Sequence, residues 1–216
     1  MIKSFTKLFK GSSIRREGEE ILFSFREKFD PSKWRLISDK EVGGHSKASF
    51  EWDPQEYAVF KGNISKKLPE NNPRITSSGY AGVYSPTIDI SYLDMERYNT
   101  LVLRVNTDGK TYAVGLLKSD ERQVMYKSIF TTSKANQWET IEIPLDDFFK
   151  IQKGTVVLDL EQMKRENISN IGFIQSERSE GPFELKIDYM KLSTSDLKPT
   201  FFTDSRTTST TGRPLF

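Results

Sequence analysis

Hydrophobic residues recur along this chain with a period of two rather than 3.6. Ile21, Phe23 and Phe25 alternate with polar or small residues, and so do Ala48, Phe50 and Trp52. Tyr57, Val59, Lys61 and Asn63 continue the alternation, and further runs cover 80–85, 100–106, 111–118, 125–130, 138–143, 171–175 and 183–192. Turn formers stand between the runs: Asp53-Pro54, Asn71-Asn72-Pro73, Asp108-Gly109 and Glu180-Gly181-Pro182. About ten short strands with regular turns predict an all-β protein, an antiparallel β-sandwich. Asp108-Gly109 joins two alternating runs and predicts a hairpin there. Within 101–105, Leu101, Leu103 and Val105 are expected in the core, with Val102 and Arg104 on the other face. Short helices are expected at 145–149 and 161–166, and 65–78 reads as an exposed polar loop. There are no internal repeats.

Length and composition sharpen this reading. The 216 residues, 36% hydrophobic and 12% aromatic, suit one packed β domain, which at this size buries roughly 70% of its unfolded surface. No apolar run approaches the ~20 residues that span a bilayer. Cysteine is absent, which removes disulfides, thiolate metal sites and a cysteine nucleophile. The net charge of +2 is unevenly spread: residues 1–16 hold Lys3, Lys7, Lys10, Arg15 and Arg16 and no acid. The remainder carries 27 basic and 30 acidic residues, a balance that disfavours nucleic acid as a partner. On a helical projection Ile2, Phe5, Leu8 and Phe9 oppose Lys3, Lys7 and Lys10, the pattern of a mitochondrial targeting leader. A retained basic helix at a membrane surface has the same pattern. The expected organisation is a leader at 1–16, a β domain at 20–193 and a Thr/Ser-rich flexible tail at 194–216. Asn63-Ile-Ser65 and Asn167-Ile-Ser169 fit the glycosylation pattern but read as structural.

Candidate chemistry is sparse. His45 is the only histidine, so a catalytic triad would have to use it and a multi-histidine metal site is impossible. Ser46 is its sequence neighbour and points the other way on an extended chain. The carboxylates Asp39, Glu41, Asp146, Asp147 and Asp188 are the raw material for glycoside hydrolysis, but Asp39 and Glu41 sit in a turn and Asp146-Asp147 begins a short helix. Gly43-Gly44 lacks the spacing of a phosphate loop. Asp39 and Ser46 are expected to satisfy loop amides, and Asp108 to do so for its own turn, with Gly109 left-handed. Arg104 and Tyr112 either line a groove for a planar or anionic group or serve the fold, Arg104 pairing with an acid such as Asp108. Trp34, Trp52 and Trp138 are candidates for stacking on a sugar, though aromatics in alternating strands are more often core.

Four stretches form an ordered set of signposts: Trp34-Arg-Leu-Ile-Ser-Asp39-Lys-Glu-Val-Gly43-Gly44-His45-Ser46, then Phe60-Lys-Gly62-Asn63-Ile-Ser65, then Ser78-Gly79-Tyr80-Ala-Gly82-Val-Tyr84-Ser85, then Leu101 to Tyr112 around Asp108-Gly109. Together with the final Arg213-Pro214-Leu215-Phe216, this set resembles the complex I intermediate-associated protein 30 family, assembly factors for mitochondrial NADH:ubiquinone oxidoreductase. The resemblance runs from about Phe23 to Leu192. It implies a galactose-binding-like jelly roll and a non-enzymatic, cofactor-free chaperone. Such a protein resides in the mitochondrial matrix, associates with the inner membrane only peripherally or through partners, and binds early membrane-arm intermediates of complex I. The implied partners include an acyl-CoA-dehydrogenase-like flavoprotein and a scaffold protein. The family's Arg-x-x-Gly-Asp-Gly pattern appears here with Thr107 in place of a glycine. Recognition is expected on the end loops 39–46, 79–85 and 178–181, with Asp39, Gly43, Gly44, His45, Ser46, Gly79, Tyr80, Arg104, Asp108, Tyr112 and Arg178 as candidate contact residues. The alternatives are a carbohydrate-binding module, or an enzyme of the hydrolase or NAD-linked reductase type.

Overall fold

The computed structural model describes residues 18–70, 75, 78–89, 95–157, 163–176 and 180–196. Thirteen strands build it: β1 Glu19–Ser24, β2 Arg35–Ser38, β3 Lys47–Asp53, β4 Tyr57–Ile64, β5 Ala81–Tyr84, β6 Thr100–Thr107, β7 Tyr112–Lys118, β8 Val124–Phe130, β9 Trp138–Pro144, β10 Phe149–Gln152, β11 Thr155–Val156, β12 Ile168–Gln175 and β13 Gly181–Ser193. Every pairing is antiparallel. One sheet has the order β3-β4-β13-β6-β9, with β1 also on β13; the other runs β11-β10-β8-β7-β12-β5-β2. The two sheets pack face to face as a jelly-roll sandwich, and among the described residues helical structure is confined to 3-10 turns.

The core lies between the sheets, and its largest wholly buried side chains include Phe60, Leu101, Leu103, Tyr112, Ile171, Phe173, Leu185 and Ile187. Full burial of each large apolar side chain contributes about 1.5–3 kcal/mol. Phe23, Phe25, Phe29, Trp34 and Phe50 form an aromatic cluster, with the Trp34 and Phe50 ring centroids 4.9 Å apart. Trp34 is thus core. Trp52 is half-buried and donates its indole N–H to the Phe25 carbonyl at 3.0 Å.

Several expectations change. Asp108-Gly109 does not close a hairpin: β6 and β7 belong to different sheets, so the turn carries the chain across the sandwich. Gly109 does take the left-handed conformation, with φ of 88°. The turn chemistry was readable, but the pairing partners of β6 (β13 and β9) are remote in sequence and better matched. The expected helix at 145–149 is a 3-10 turn over Leu145–Asp147 that passes into β10. Of 161–166, residues 163–165 are irregular, and 161 and 162 lie outside the described residues. The 57–63 stripe faces outward, while Ala58, Phe60 and Ile64 fill the core. Strand β2 and the pair β10–β11 are additional elements, too short to leave an alternating signal.

Two bulges reset the alternation. In β13 the register slips between Ile187 and Tyr189, so Phe183, Leu185 and Ile187 face inward before the slip and Met190 and Leu192 after it. A bulge inserts one residue and reverses the face of all that follows. That residue, Asp188, accepts from Arg26 Nε at 2.9 Å and pairs with Arg104 Nε at 3.2 Å. A slip between Ile21 and Phe23 in β1 likewise leaves Ile21 38% exposed while both Leu22 and Phe23 pack on the core.

Candidate protein-docking face

Three of the four signpost stretches meet at one end of the seven-stranded sheet. Asp39 is fully buried, and its carboxylate accepts hydrogen bonds from Ser46 N (2.9 Å), Ser46 Oγ (2.8 Å) and Gly79 N (2.7 Å). Its backbone N–H donates to the Tyr80 carbonyl at 3.2 Å, and Gly44 N donates to the Asp39 carbonyl at 2.8 Å. Ser46 Oγ in turn accepts from Ser65 N at 3.1 Å. Gly43 ends the 3-10 turn that begins at Asp39, and His45 is exposed beside it. Asp39, Gly43, Gly44, Ser46, Gly79 and Tyr80 therefore stand together, with Asp39 directed at the chain itself. The knot ties the end of β2 to the start of β5. Burial, reinforced by Glu41 and Asp39, holds the Tyr80 hydroxyl above the ordinary tyrosine pKa. Glu180 joins 65–66 to the 178–181 loop by accepting from Lys66 N; Arg178 lies outside the described residues.

Arg104 and Tyr112 do not share a groove. Tyr112 is 1% exposed, between the sheets, and its hydroxyl donates to Asp108 Oδ1 at 2.9 Å. Burial first, then the Asp108 charge, pushes its pKa up. Asp108 also accepts from Lys110 N and, across the molecule, from Glu184 N, both at 3.1 Å. Arg104 is on the outer face of the six-stranded sheet, paired with Asp188 rather than Asp108. Its guanidinium lies 5.9 Å from the Trp138 ring centroid, and the Lys186 ammonium lies 5.8 Å from that of Tyr57. Of the other acids, Asp146 pairs with Arg165 at 3.0 Å and Asp147 is buried. Among the described residues no group of three or more His, Cys, Asp or Glu is placed to hold a metal ion.

The two outer faces are unlike. That of the six-stranded sheet is charged and self-paired, with Lys61 on Glu51 (2.9 Å), Lys186 on Glu184 (3.3 Å) and the Asp188 pairs just described. A hollow of about 780 Å³ beside it is lined by Lys47, Lys61 and Glu184 together with the apolar Ala48, Pro182 and Phe183. The outer face of the seven-stranded sheet is apolar. Registers place Arg35, Tyr84, Gly172, Gly115, Lys127 and Phe149 in one row across it. The next row is Ile37, Gly82, Ile174, Ala113 and Ile129. Tyr84, Ala113 and Ile174 are buried there as a second apolar cluster with Ile37, Leu117 and Met125 against it. Ile129 and Val156 remain 56% and 50% exposed. No position in these rows is acidic.

Close cover explains two of the glycines. A Cβ on Gly172 would first meet the Val83 carbonyl oxygen and then Tyr84 Cδ1 at 2.6 Å, and a Cβ on Gly115 would come within 2.7 Å of the Tyr84 hydroxyl. Only glycine admits so close a cover. The hydroxyl reaches Met125 Sδ at 2.7 Å, and Arg35 lies 5.7 Å above the ring centroid. Burial pushes the Tyr84 pKa up against the opposing effect of Arg35. Tyr84 lies in the 79–85 stretch expected to carry recognition but was not singled out there, and this face did not emerge from the sequence; the legible signal was Gly82, Gly115 and Gly172 inside strands, where glycine marks close approach.

Residues 23–187 match the family model described as complex I intermediate-associated protein 30. The chain belongs to the complex I intermediate-associated protein 30 family. Relatives in this family include the mitochondrial protein of Mus musculus, 31% identical over 82% of this chain, and that of Neurospora crassa, 29% identical over 83%. The matched region spans 57% of the mouse protein's length and 75% of the Neurospora protein's. Among solved structures, a family 11 carbohydrate-binding module from Clostridium thermocellum in complex with a mixed-linked tetrasaccharide superposes with a TM-score of 0.56 at 17% identity, over 82% of this chain and 96% of the module. An agarase matches with a TM-score of 0.54 at 12% identity, over 84% of this chain and 25% of the enzyme. At these identities the likeness concerns the fold, a galactose-binding-like jelly roll. The signpost stretches quoted above, from Trp34 to Tyr112, fall within the matched region.

Proposed function

We propose that this chain is a mitochondrial assembly factor for respiratory complex I, acting by binding and without covalent chemistry. It holds early membrane-arm intermediates together with other assembly factors, among them an acyl-CoA-dehydrogenase-like flavoprotein and a scaffold protein. The observation that carries a binding role is the apolar outer face of one sheet opposite a solvated, ion-paired face on the other. Antiparallel sandwiches normally expose polar residues on both outer faces; here the exposed Ile129 and Val156 stand on the same face as the buried apolar cluster of Tyr84, Ala113 and Ile174. The family match supplies the complex I context. A sugar platform fits less well: the rings of Trp138 and Tyr57 have cations over their faces, and Tyr84 lies beneath Arg35. In the described residues no helix is long and apolar enough to cross a membrane, and inner-membrane association through partners agrees with the docking role. Deleting the chain is expected to lower assembled complex I while other respiratory complexes stay near normal, read by native gels. Proximity labelling from the chain is expected to mark assembly factors or membrane-arm subunits. Normal complex I in the null, with tight binding on a glycan array, would overturn the proposal.

A further inference from the structure

The two outer faces differ in how their cations are compensated. On the six-stranded sheet Lys61, Lys186, Arg26 and Arg104 each have a carboxylate partner, and only the exposed Lys47 at the sheet edge has none among the described residues. On the apolar face, Arg35 and Lys127 have no carboxylate at ion-pair distance among the described residues. Arg35 rests over the Tyr84 ring, and Lys127 Nζ reaches the Ser176 hydroxyl at 3.2 Å. Lys127 is partly desolvated by the sheet around it, and that burial lowers its pKa from the ordinary lysine value. It stands two residues from Met125 on one side and two from exposed Ile129 on the other, in the same strand and on the same face. The row from Arg35 to Lys127 crosses four strand spacings, about 19 Å.

A partner covering this face meets a fixed demand. An entirely apolar cover would bury the Lys127 ammonium without a counter-charge, which carries a large desolvation penalty. A carboxylate delivered into the same contact offsets that penalty, and the pair strengthens as water leaves. A polyanion would neutralise the ammonium but leave Ile129 and Ile37 against charge. An anionic lipid surface is drawn to clusters of four to eight cations, roughly, whereas this face has two, far apart. We propose that the outer face of the seven-stranded sheet docks a protein partner through an apolar segment carrying one Asp or Glu, whose carboxylate pairs with Lys127 while its apolar neighbours cover Ile129 and Met125. The proposal deepens, and rests on, the protein-binding role above.

The test uses the full chain, expressed in mitochondria that lack it, extracted gently and treated with a water-soluble carbodiimide, which joins a lysine amine to a carboxylate already in contact. Peptide mapping is expected to show Lys127 joined to an Asp or Glu of a partner, within a mainly apolar sequence. In parallel extracts without carbodiimide, Lys127→Met and Ile129→Asp are each expected to reduce co-purification of that partner at least tenfold and Lys127→Arg to retain it, while Lys61→Met on the opposite face changes it less than twofold. Thermal melts of the purified variants check folding; Ile129 is more than half exposed, so its substitution spares the core. Unchanged recovery with both variants, a link formed only from the opposite face, or loss of binding to vesicles rich in phosphatidylserine in place of a protein would each overturn the docking assignment. If Lys127→Met and Ile129→Asp rebuild complex I as well as the unaltered chain does and no Lys127 link forms, docking fails and the assembly role stands. If the link forms but complex I is indifferent to deletion of the chain, the assembly role fails and docking stands.

Discussion

At the residue scale, glycine does two separate jobs. At Gly109 the requirement is conformational, a φ of 88°, and Gly109→Val is expected to cost roughly 1 kcal/mol or more because a β-branched residue is strained there. Urea denaturation checks it; an unchanged midpoint would refute it. At Gly115 the requirement is space, because an added Cβ meets the Tyr84 hydroxyl at 2.7 Å, Ile174 Cδ1 at 3.0 Å and Met125 Sδ at 3.1 Å. Gly115→Ala is expected to lose about 1–3 kcal/mol by overpacking. In a Tyr84→Phe background the loss shrinks, since the nearest atom is gone. Equal losses in both backgrounds would show that the Tyr84 hydroxyl is not the obstacle.

At the element scale, β2 is an edge strand of four residues that pairs only with β5. Such a strand is marginal by itself, and the Asp39 carboxylate anchors its end. Asp39→Ala removes the acceptor for Ser46 N, Ser46 Oγ and Gly79 N. Stranding buried donors costs about 1–3 kcal/mol each, so a loss of roughly 3 kcal/mol or more is expected. The damage is expected to be local first. Amides of Arg35–Ser38 should exchange much faster in Asp39→Ala, while those of β6 and β13 keep most of their protection. Uniform acceleration across both sheets would mean the knot supports the whole sandwich. Because β2 carries Arg35 and Ile37, the same variant is expected to weaken the docking face without touching it.

At the scale of the whole molecule, two buried tyrosines link stability to pH. Burial holds the hydroxyls of Tyr112 and Tyr84 protonated in the folded chain, with pKa values above that of an unfolded tyrosine, which is about 10. Above that pH the unfolded chain releases protons that the folded chain keeps, so alkali draws the equilibrium toward unfolding. The stabilisation is intact below pH ~10 and declines as pH rises beyond it, by up to about 1.4 kcal/mol per pH unit for each tyrosine. Denaturant titrations between pH ~9 and ~11 are expected to show this fall and its flattening in the Tyr84→Phe, Tyr112→Phe double variant. An equally steep fall in the double variant would assign it to other groups. Tyr112 further joins the sheets, since its Asp108 partner also accepts from Glu184 N in β13.

What the sequence determined by itself was local. Alternation at period two announced strands, and Asp-Gly, Gly-Gly and Asp-Pro announced turns, because backbone dihedrals and side-chain alternation are set by neighbours a few residues away. The ordered signposts carried the family, and Asp39 and Ser46 were legible as a loop staple because they stand close in sequence. The tertiary structure decided what depends on distant partners. It sent β6 and β7 to opposite sheets, reversed the inward face of β13 at the Asp188 bulge, and set Tyr112 in the core while leaving Arg104 outside. It also decided which sheet shows an apolar outer face. Each strand contributes only a few residues to a sheet surface. Whether Ile37, Tyr84, Ile174, Ala113 and Ile129 form one patch or five isolated side chains depends on strand order and register, which are fixed by pairings between residues far apart in the chain.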